Sequence, residues 1–239
     1  MSRYQSLSSK KPLERHMLSF QWKWFSVKDV FNDFLIVTVY SFANNNELWS
    51  KDWFTKEREK DFDRIMNKYK SHWLDKLFAS MLIDLMKIMG EEAYSDYLWE
   101  FYTYFVTGWE NGQYFTPTHI CKFMAQVVWV TEWESICDPT CWSGRTLLAA
   151  CEIKKWLIVT WIDIDRRCAY MSIINLFLYS ITWTVYHWDA LRMEMFECWR
   201  FSMNNWMPVL FQEEITKEKV VEVKEKIDNT HTQNALFSM

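Results

Sequence analysis

Three short segments carry the residues best suited to chemistry. Asp138-Pro139-Thr140-Cys141-Trp142-Ser143-Gly144 reads as a strand end, a sharp turn and the opening of a helix. Such a turn belongs at the carboxyl end of a parallel strand, where α/β sheets bind ligands. Gly144 lets the backbone take positive φ and approach a ligand closely, and N–H groups at a helix start suit an anionic group such as a carboxylate. Asp163, in Trp161-Ile162-Asp163-Ile164-Asp165, follows Asp138 by 25 residues. An acid at the end of a second strand, at about that distance, can accept hydrogen bonds from ribose hydroxyls. Asp189, in His187-Trp188-Asp189-Ala190-Leu191, follows a third strand, where it can meet an adenine amino group. One such acid alone is most simply a solvated carboxylate. Three in series describe a nucleoside site.

The elements that must position these acids can be read from hydrophobic spacing. Ser135–Cys137, Leu157–Ile162 and Thr184–Tyr186 read as strands, with Phe201–Met203 as a fourth. Helical spacing over Pro117–Val128, Arg145–Lys155 and Arg167–Tyr179 alternates with them, which predicts a doubly wound α/β sheet. Upstream the chain is all-helical. A helix starts at the cap Ser26 with Asp29 in its first turn, and others cover residues 55–70, 74–89 and 93–107. The aromatic stripe of this half is most simply core. Residues 1–20, polar with Ser and Lys, read as a loose arm. The Glu/Lys-rich segment Gln212–Asn229 reads as an exposed helix. The domain division that follows is a helical region over 1–107, an α/β domain over 108–206 and a charged helical tail over 207–239.

Composition narrows the class. The chain has 239 residues, with 27 Lys+Arg against 31 Asp+Glu. There is no global basic excess, so any nucleic-acid contact must be a local patch. No apolar run long enough to span a membrane is present, and Met1–Lys11 lacks the apolar stretch of a secretory signal. The six cysteines form no CxxC pair and no metal-site spacing. A reduced, cytoplasmic protein with no metal and no membrane partner is expected. The five histidines are scattered, and Arg166, Arg167 and Arg192 are weak candidates for facing DNA.

Taken in order, Gly112-Gln113-Tyr114-Phe115-Thr116-Pro117, the Asp138–Gly144 turn, Asp163-Ile164-Asp165 and Asp189-Ala190-Leu191 resemble the N6-adenine DNA methyltransferases. The nearest likeness is to modification subunits of type I restriction systems and their short phage or plasmid relatives. The resemblance covers roughly residues 90–195 and implies a Rossmann-like methyltransferase domain with a shortened sheet. It implies S-adenosylmethionine as methyl donor, DNA carrying an adenine in a specific sequence as substrate, and a specificity or restriction subunit as partner. Carried over by residue, Gln113, Tyr114, Phe115, Thr116 and Pro117 would line the cofactor's methionine and adenosine side. Asp138 and the Cys141-Trp142-Ser143-Gly144 turn would hold its amino-acid end. Asp163 would take the ribose hydroxyls and Asp189 the adenine amine, with Pro139, Ile164 and Ala190 completing the set.

Two departures from that pattern stand out. The first is tryptophan at glycine positions: Trp142 in the turn, Trp161 before Ile162-Asp163, Trp188 before Asp189, and Trp99 in Leu98-Trp99-Glu100. Trp129, Trp156 and Trp183 also follow glycine habits at element ends. The chain has 16 Trp and only 4 Gly, and together these make about 8%, an ordinary glycine share with a few tryptophans. Random drift would not choose tryptophan each time, whereas a source that reads UGA as glycine would produce this pattern; an engineered chain is the plainer alternative. The second departure is the catalytic motif. The family's [DNS]-P-P-[YF] offers an amide or acid to the target amine and an aromatic ring to a flipped base. Here the corresponding stretch is Ser202-Met203-Asn204-Asn205-Trp206-Met207-Pro208, in which Asn204 or Asn205 would serve as the amide. The chain therefore reads as the cofactor half of the family, with the base-binding half shortened or lost. The expected function is adenine-N6 methyl transfer to DNA. The competing readings are a non-catalytic cofactor- or DNA-binding module beside a restriction-modification subunit, and methylation of a substrate other than DNA.

Overall fold

The computed structural model describes residues 12–20, 25–44, 52–72, 74–91, 93–107, 116–128, 134–204 and 207–233. The chain forms two compact units, Met1–Asn45 with Ser50–Tyr114, and Asn46–Trp49 with Phe115–Met239.

The first unit is helical, as its sequence spacing predicts. It contains α1 (Pro12–Ser19), α2 (Val27–Asn44), α3 (Asp52–Lys70), α4 (Asp75–Glu91) and α5 (Tyr97–Phe101), the last running into a π-helical turn over Tyr102–Thr107. Ser26 caps α2. Its Oγ accepts from the Asp29 N–H at 3.0 Å and donates to Asp29 Oδ2 at 2.7 Å. The helix expected over 93–107 starts only at Tyr97, because the Asp96 carboxylate takes the Trp99 N–H at 3.3 Å and fixes the helix start there. The aromatic stripe is core. Tyr69 meets Phe20 and Phe78 edge-on, with centroids 5.5 and 4.8 Å apart, and Phe34 stacks on Phe78.

The loose arm expected over residues 1–20 is corrected over its described part. Residues 12–20 fold, because Leu13, Met17 and Phe20 recur at helical spacing and all three are fully buried. The helix is tied down by polar groups too: the Tyr97 hydroxyl donates to Glu14 Oε1, and His16 Nδ1 lies 2.9 Å from Asp84 Oδ2.

The second unit holds the sheet. In chain order come α6 (Thr118–Val127), β1 (Ser135–Asp138), α7 (Arg145–Ile153), β2 (Ile158–Asp163), α8 (Arg166–Leu178), β3 (Trp183–Asp189), β4 (Glu194–Asn204), β5 (Met207–Glu213) and α9 (Lys217–Gln233). The strands lie in the order β1-β2-β3-β4-β5. β1, β2 and β3 pair in parallel, joined by α7 and α8 as the alternation predicts. β4 and β5 are antiparallel additions. The parallel pairing expected from sequence thus describes the first three strands only, and their sequential order has no reversal of winding, so the described sheet is not the doubly wound one expected.

The reason lies in one turn. A parallel return needs a crossover of about a dozen residues or more, whereas only Ala190–Met193 separate β3 from β4. Asp189 Oδ1 accepts the N–H groups of Leu191 and Arg192 at 3.1 and 3.0 Å, which locks that reversal. The fourth strand, read as Phe201–Met203, consequently extends over Glu194–Asn204. Residues 207–213, read as the start of a tail, pair with it as β5, and their apolar run Val209-Leu210-Phe211 suits a strand.

Both faces of the sheet are covered. On one, α8 sets Tyr170 edge-on to Trp199 and Phe177 against Phe201. On the other, Val223 of α9 joins Ile162, Tyr186, Trp188 and Cys198 in a buried cluster. The C-terminal helix, expected to be exposed, therefore buries one side chain in the core. No described helix is long and apolar enough to cross a membrane.

Replacing Leu13 or Met17 with Ala should lower the unfolding free energy by about 2–5 kcal/mol, the usual cost of emptying a core site. Urea titration followed by tryptophan fluorescence measures it. A midpoint unchanged in both variants would mean that the segment is the loose arm its composition suggests.

Candidate cofactor site at the strand ends

The Asp138–Gly144 turn is held from three sides. Within it, Asp138 Oδ1 accepts the Thr140 N–H at 3.1 Å, and the Gly144 N–H reaches the Cys141 carbonyl at 2.7 Å. From β2, the Ile162 carbonyl takes the Cys141 N–H at 3.0 Å, and Asp163 Oδ2 takes the Trp142 N–H at 2.8 Å. From α8, Ser172 Oγ donates to the Trp142 carbonyl at 3.1 Å and Asn175 Nδ2 to the Ser143 carbonyl at 3.2 Å. Ser172 and Asn175 are fully buried. Sequence reading missed both, although two polar residues inside the apolar run Met171-Ser172-Ile173-Ile174-Asn175-Leu176 are a legible signal for buried hydrogen-bond duty. Gly144 leads into α7 with φ +86, so the conformational freedom anticipated for it is used.

The three acids end three neighbouring parallel strands. Asp138 lies opposite Trp161, Asp163 opposite His187, and Asp189 two residues beyond His187. Asp163 is the best placed for a ligand. Its Oδ1 accepts the Asp165 N–H at 2.8 Å and its Oδ2 the Trp142 N–H, and a carboxylate oxygen has a second lone pair to offer. Burial pushes its pKa up to about 6 against the opposing pull of those two N–H groups, with Asp165 and Asp138 adding repulsion. Burial also raises the Asp138 pKa, partly offset by the Thr140 N–H. Asp165 is a different case. Burial opposes its charge, yet its bonds to Arg167 outweigh this and hold its carboxyl below the ordinary range while it caps α8. His187, set against the loop, shares a hydrogen bond with the Ile164 carbonyl at 3.1 Å.

The other expected site residues are placed less uniformly. Pro139, Cys141 and Ser143 lie in the turn, with Cys141 and Ser143 buried, while Ile164 and Ala190 are exposed beside their acids. Asp189 is buried and directs Oδ1 to its own turn, with Arg192 Nε 3.7 Å from Oδ2. Thr116 and Pro117 are exposed at the start of α6. Gln113, Tyr114, Phe115 and Asn205 lie outside the described residues. Asn204 does not join the acids. β4 runs antiparallel to β3 and Phe201 faces Trp183, so Asn204 lies past the amino end of β3 whereas Asp189 marks its carboxyl end. At about 3.3 Å per residue, the length of β3 alone puts roughly 20 Å between those two ends. The reason is the same short reversal after Asp189. The weak arginine candidates for DNA are drawn to carboxylates: Arg166 Nε to Glu197 at 2.8 Å, Arg167 to Asp165, and Arg192 to Asp189.

The tryptophans crowd this site. Trp142 holds φ +54 in the turn, and Trp156, after α7, holds φ +66. That region costs a bulky L residue about 1–3 kcal/mol. A Cβ built on Gly144 would lie 2.0 Å from ring atoms of Trp161, so that indole presses directly on the turn. The indole N–H groups of Trp161, Trp183 and Trp188 are buried without an acceptor among the described residues, at a cost of about 1–3 kcal/mol each.

The Asp163 shift has a stability consequence. Its folded pKa of about 6 exceeds the 3.8 of a free carboxyl, so between these values the folded state binds more protons than the unfolded one. Its favourable contribution is complete below about pH 4 and is lost as pH rises through 6, a change of about 2–3 kcal/mol. Comparing urea midpoints from pH 3.5 to 7.5, Asp163→Asn should flatten this part of the profile. Parallel profiles for the two proteins would contradict the assignment.

Comparison with known proteins agrees with this architecture. The family model described as N-6 DNA Methylase matches residues 84–207, from within α4 to the first residue of β5. No curated protein gives a match. The matched stretch takes in the Asp138–Gly144 turn and all three strand-end acids, and it exceeds half of the 239 residues. The chain belongs to the N-6 DNA methylase family.

Proposed function

We propose that the chain is an S-adenosylmethionine-dependent DNA methyltransferase acting on adenine N6, built around the strand-end acids. The observation that carries this reading is the disposition of Asp163. With one backbone N–H on each oxygen, its remaining lone pairs suit two hydroxyls on adjacent carbons, as on a ribose. Asp138 and the Cys141–Gly144 turn would hold the cofactor's amino-acid end, and Asp189 would offer Oδ2 to the adenine amine. Thr116 and Pro117, with Gln113, Tyr114 and Phe115, would line the methionine and adenosine side. When bound, S-adenosylmethionine supplies an electrophilic methyl group on sulfur. What the chain's own residues contribute is grip and orientation: carboxylates facing donor groups of the cofactor, and a turn pinned by Ser172 and Asn175 so that this alignment persists. DNA is the expected second substrate, with a specificity or restriction subunit as partner.

A second reading is a non-catalytic module that binds cofactor or DNA beside a restriction-modification subunit. The observation favouring it is the position of Asn204 beyond the amino end of β3, remote from the acids.

Two measurements test the two readings with the variant Trp142→Gly/Trp161→Gly/Trp188→Gly. Tritiated methyl transfer to unmethylated DNA is the expected result for an enzyme, whereas calorimetric cofactor binding without transfer selects the module. In either case Asp163→Ala should weaken binding by about 10–100-fold, the worth of hydrogen bonds to a charged group. Hydroxyl donors need the carboxylate, so affinity should rise with pH up to about 6 and level off above 7. Full affinity at pH 5, or an indifferent Asp163→Ala, would remove Asp163 from the site. As written, with Trp142, the chain should bind the cofactor weakly, and a micromolar dissociation constant would contradict that.

A further inference from the structure

We propose that positions 142, 156, 161 and 188 carry glycine in the protein as its own cell makes it, because that cell decodes UGA as glycine. The idea rests on the methyltransferase reading only for its consequence, not for its evidence. Each position makes a backbone, steric or hydrogen-bonding demand that tryptophan does not meet.

Position 142 sits in the turn at φ +54, with its N–H committed to Asp163 and its carbonyl to Ser172. The turn cannot relax to a more comfortable φ without breaking both bonds. Position 156 lies in the loop after α7, two residues past its C-cap Lys154, at φ +66, a left-handed conformation that favours glycine. Trp156 is 66% exposed, so little burial compensates for the strain. Position 161 faces Asp138 across the β1–β2 ladder. Its indole lies against Gly144 so tightly that a Cβ there would fall 2.0 Å from Cη2 and Cζ3. Position 188 pairs with Met195 beside a bulge whose extra residue, Phe196, lies on β4. Its indole N–H, like that of Trp161, is buried without an acceptor among the described residues.

These four places share no packing role. One is a turn, one the loop after a helix, and two lie in neighbouring strands. What they share is a demand that an indole does not meet, and the presence of tryptophan. A packing or functional explanation would have to be found four times, whereas one reassigned codon accounts for all of them and for the low glycine count. UGA is one base from the tryptophan codon UGG and from the glycine codon GGA, so the same triplet can be assigned either way. Gly144 and Gly90 would be specified by ordinary glycine codons. With glycine at 161 and 142, the space now filled by the Trp161 ring beside Asp138, Asp163 and Gly144 becomes open to a ligand.

Tandem mass spectrometry of the protein isolated from its native source decides the matter. Peptides covering the four positions should each be lighter by the difference between a tryptophan and a glycine residue for every site they contain. Tryptophan at any of the four overturns the proposal. Sequencing the gene gives an independent readout: UGA at all four codons is expected, and UGG at any one of them overturns the assignment. The test is separable from the functional reading. If glycine is found and the glycine-bearing protein fails to bind S-adenosylmethionine in calorimetry, the residue assignment stands and the cofactor reading falls. If glycine is found and binding is at least tenfold tighter than for the tryptophan form, both stand.

Discussion

The Asp163 carboxylate is the fastening on which the rest of the strand-end architecture depends. One oxygen takes the N–H of Trp142 and the other that of Asp165. The first bond ties the β1 turn to β2, and the second shapes the entry into α8. A buried backbone donor left unpaired is expensive. The same carboxylate therefore sets the turn's position while each oxygen retains a second lone pair. Ser172 and Asn175 finish the work from α8, accepting no compromise in the path of the turn because both are fully buried. The turn is thus held by bonds from β2 and from α8 at once.

Much of this was legible in the sequence. The acids mark strand ends because a carboxylate after an apolar β-rich run has nowhere else to go, and the helices α7 and α8 follow from their spacing. Ser26 announced its helix through local chemistry alone. The failures are equally physical. α1 was hidden because its three apolar residues, Leu13, Met17 and Phe20, are diluted by charges and prolong a polar arm in composition. The sheet's second half was misread because strand direction is decided by connection length, and a four-residue reversal after Asp189 outweighs the parallel habit of the preceding strands. Asn204 was assigned by its distance along the chain to the strand ends, a measure blind to that reversal.

The same reversal divides the sheet into two mechanical regions. The parallel part carries the acids and is backed by α8. The antiparallel part, β4 and β5, is stitched to α9 by polar bonds as well as by Val223. Lys219 and Arg200 both reach Glu213, at 3.1 Å each, and the Cys198 thiol donates to the same carboxylate at 3.3 Å. Burial pushes the Cys198 thiol far above its ordinary range, and Glu213 adds to it. That cysteine is thus kept as a neutral packing residue rather than a nucleophile.

The bond between Tyr97 and Glu14 has a consequence for how the protein comes into being. The partners are 83 residues apart in the chain, so this tie on α1 closes only after that much more polypeptide has been made. At ordinary elongation speeds this is a wait of about 4–17 s on the ribosome. During the earlier part of it, Phe20 is without the rings of Tyr69 and Phe78 that it meets in the folded unit.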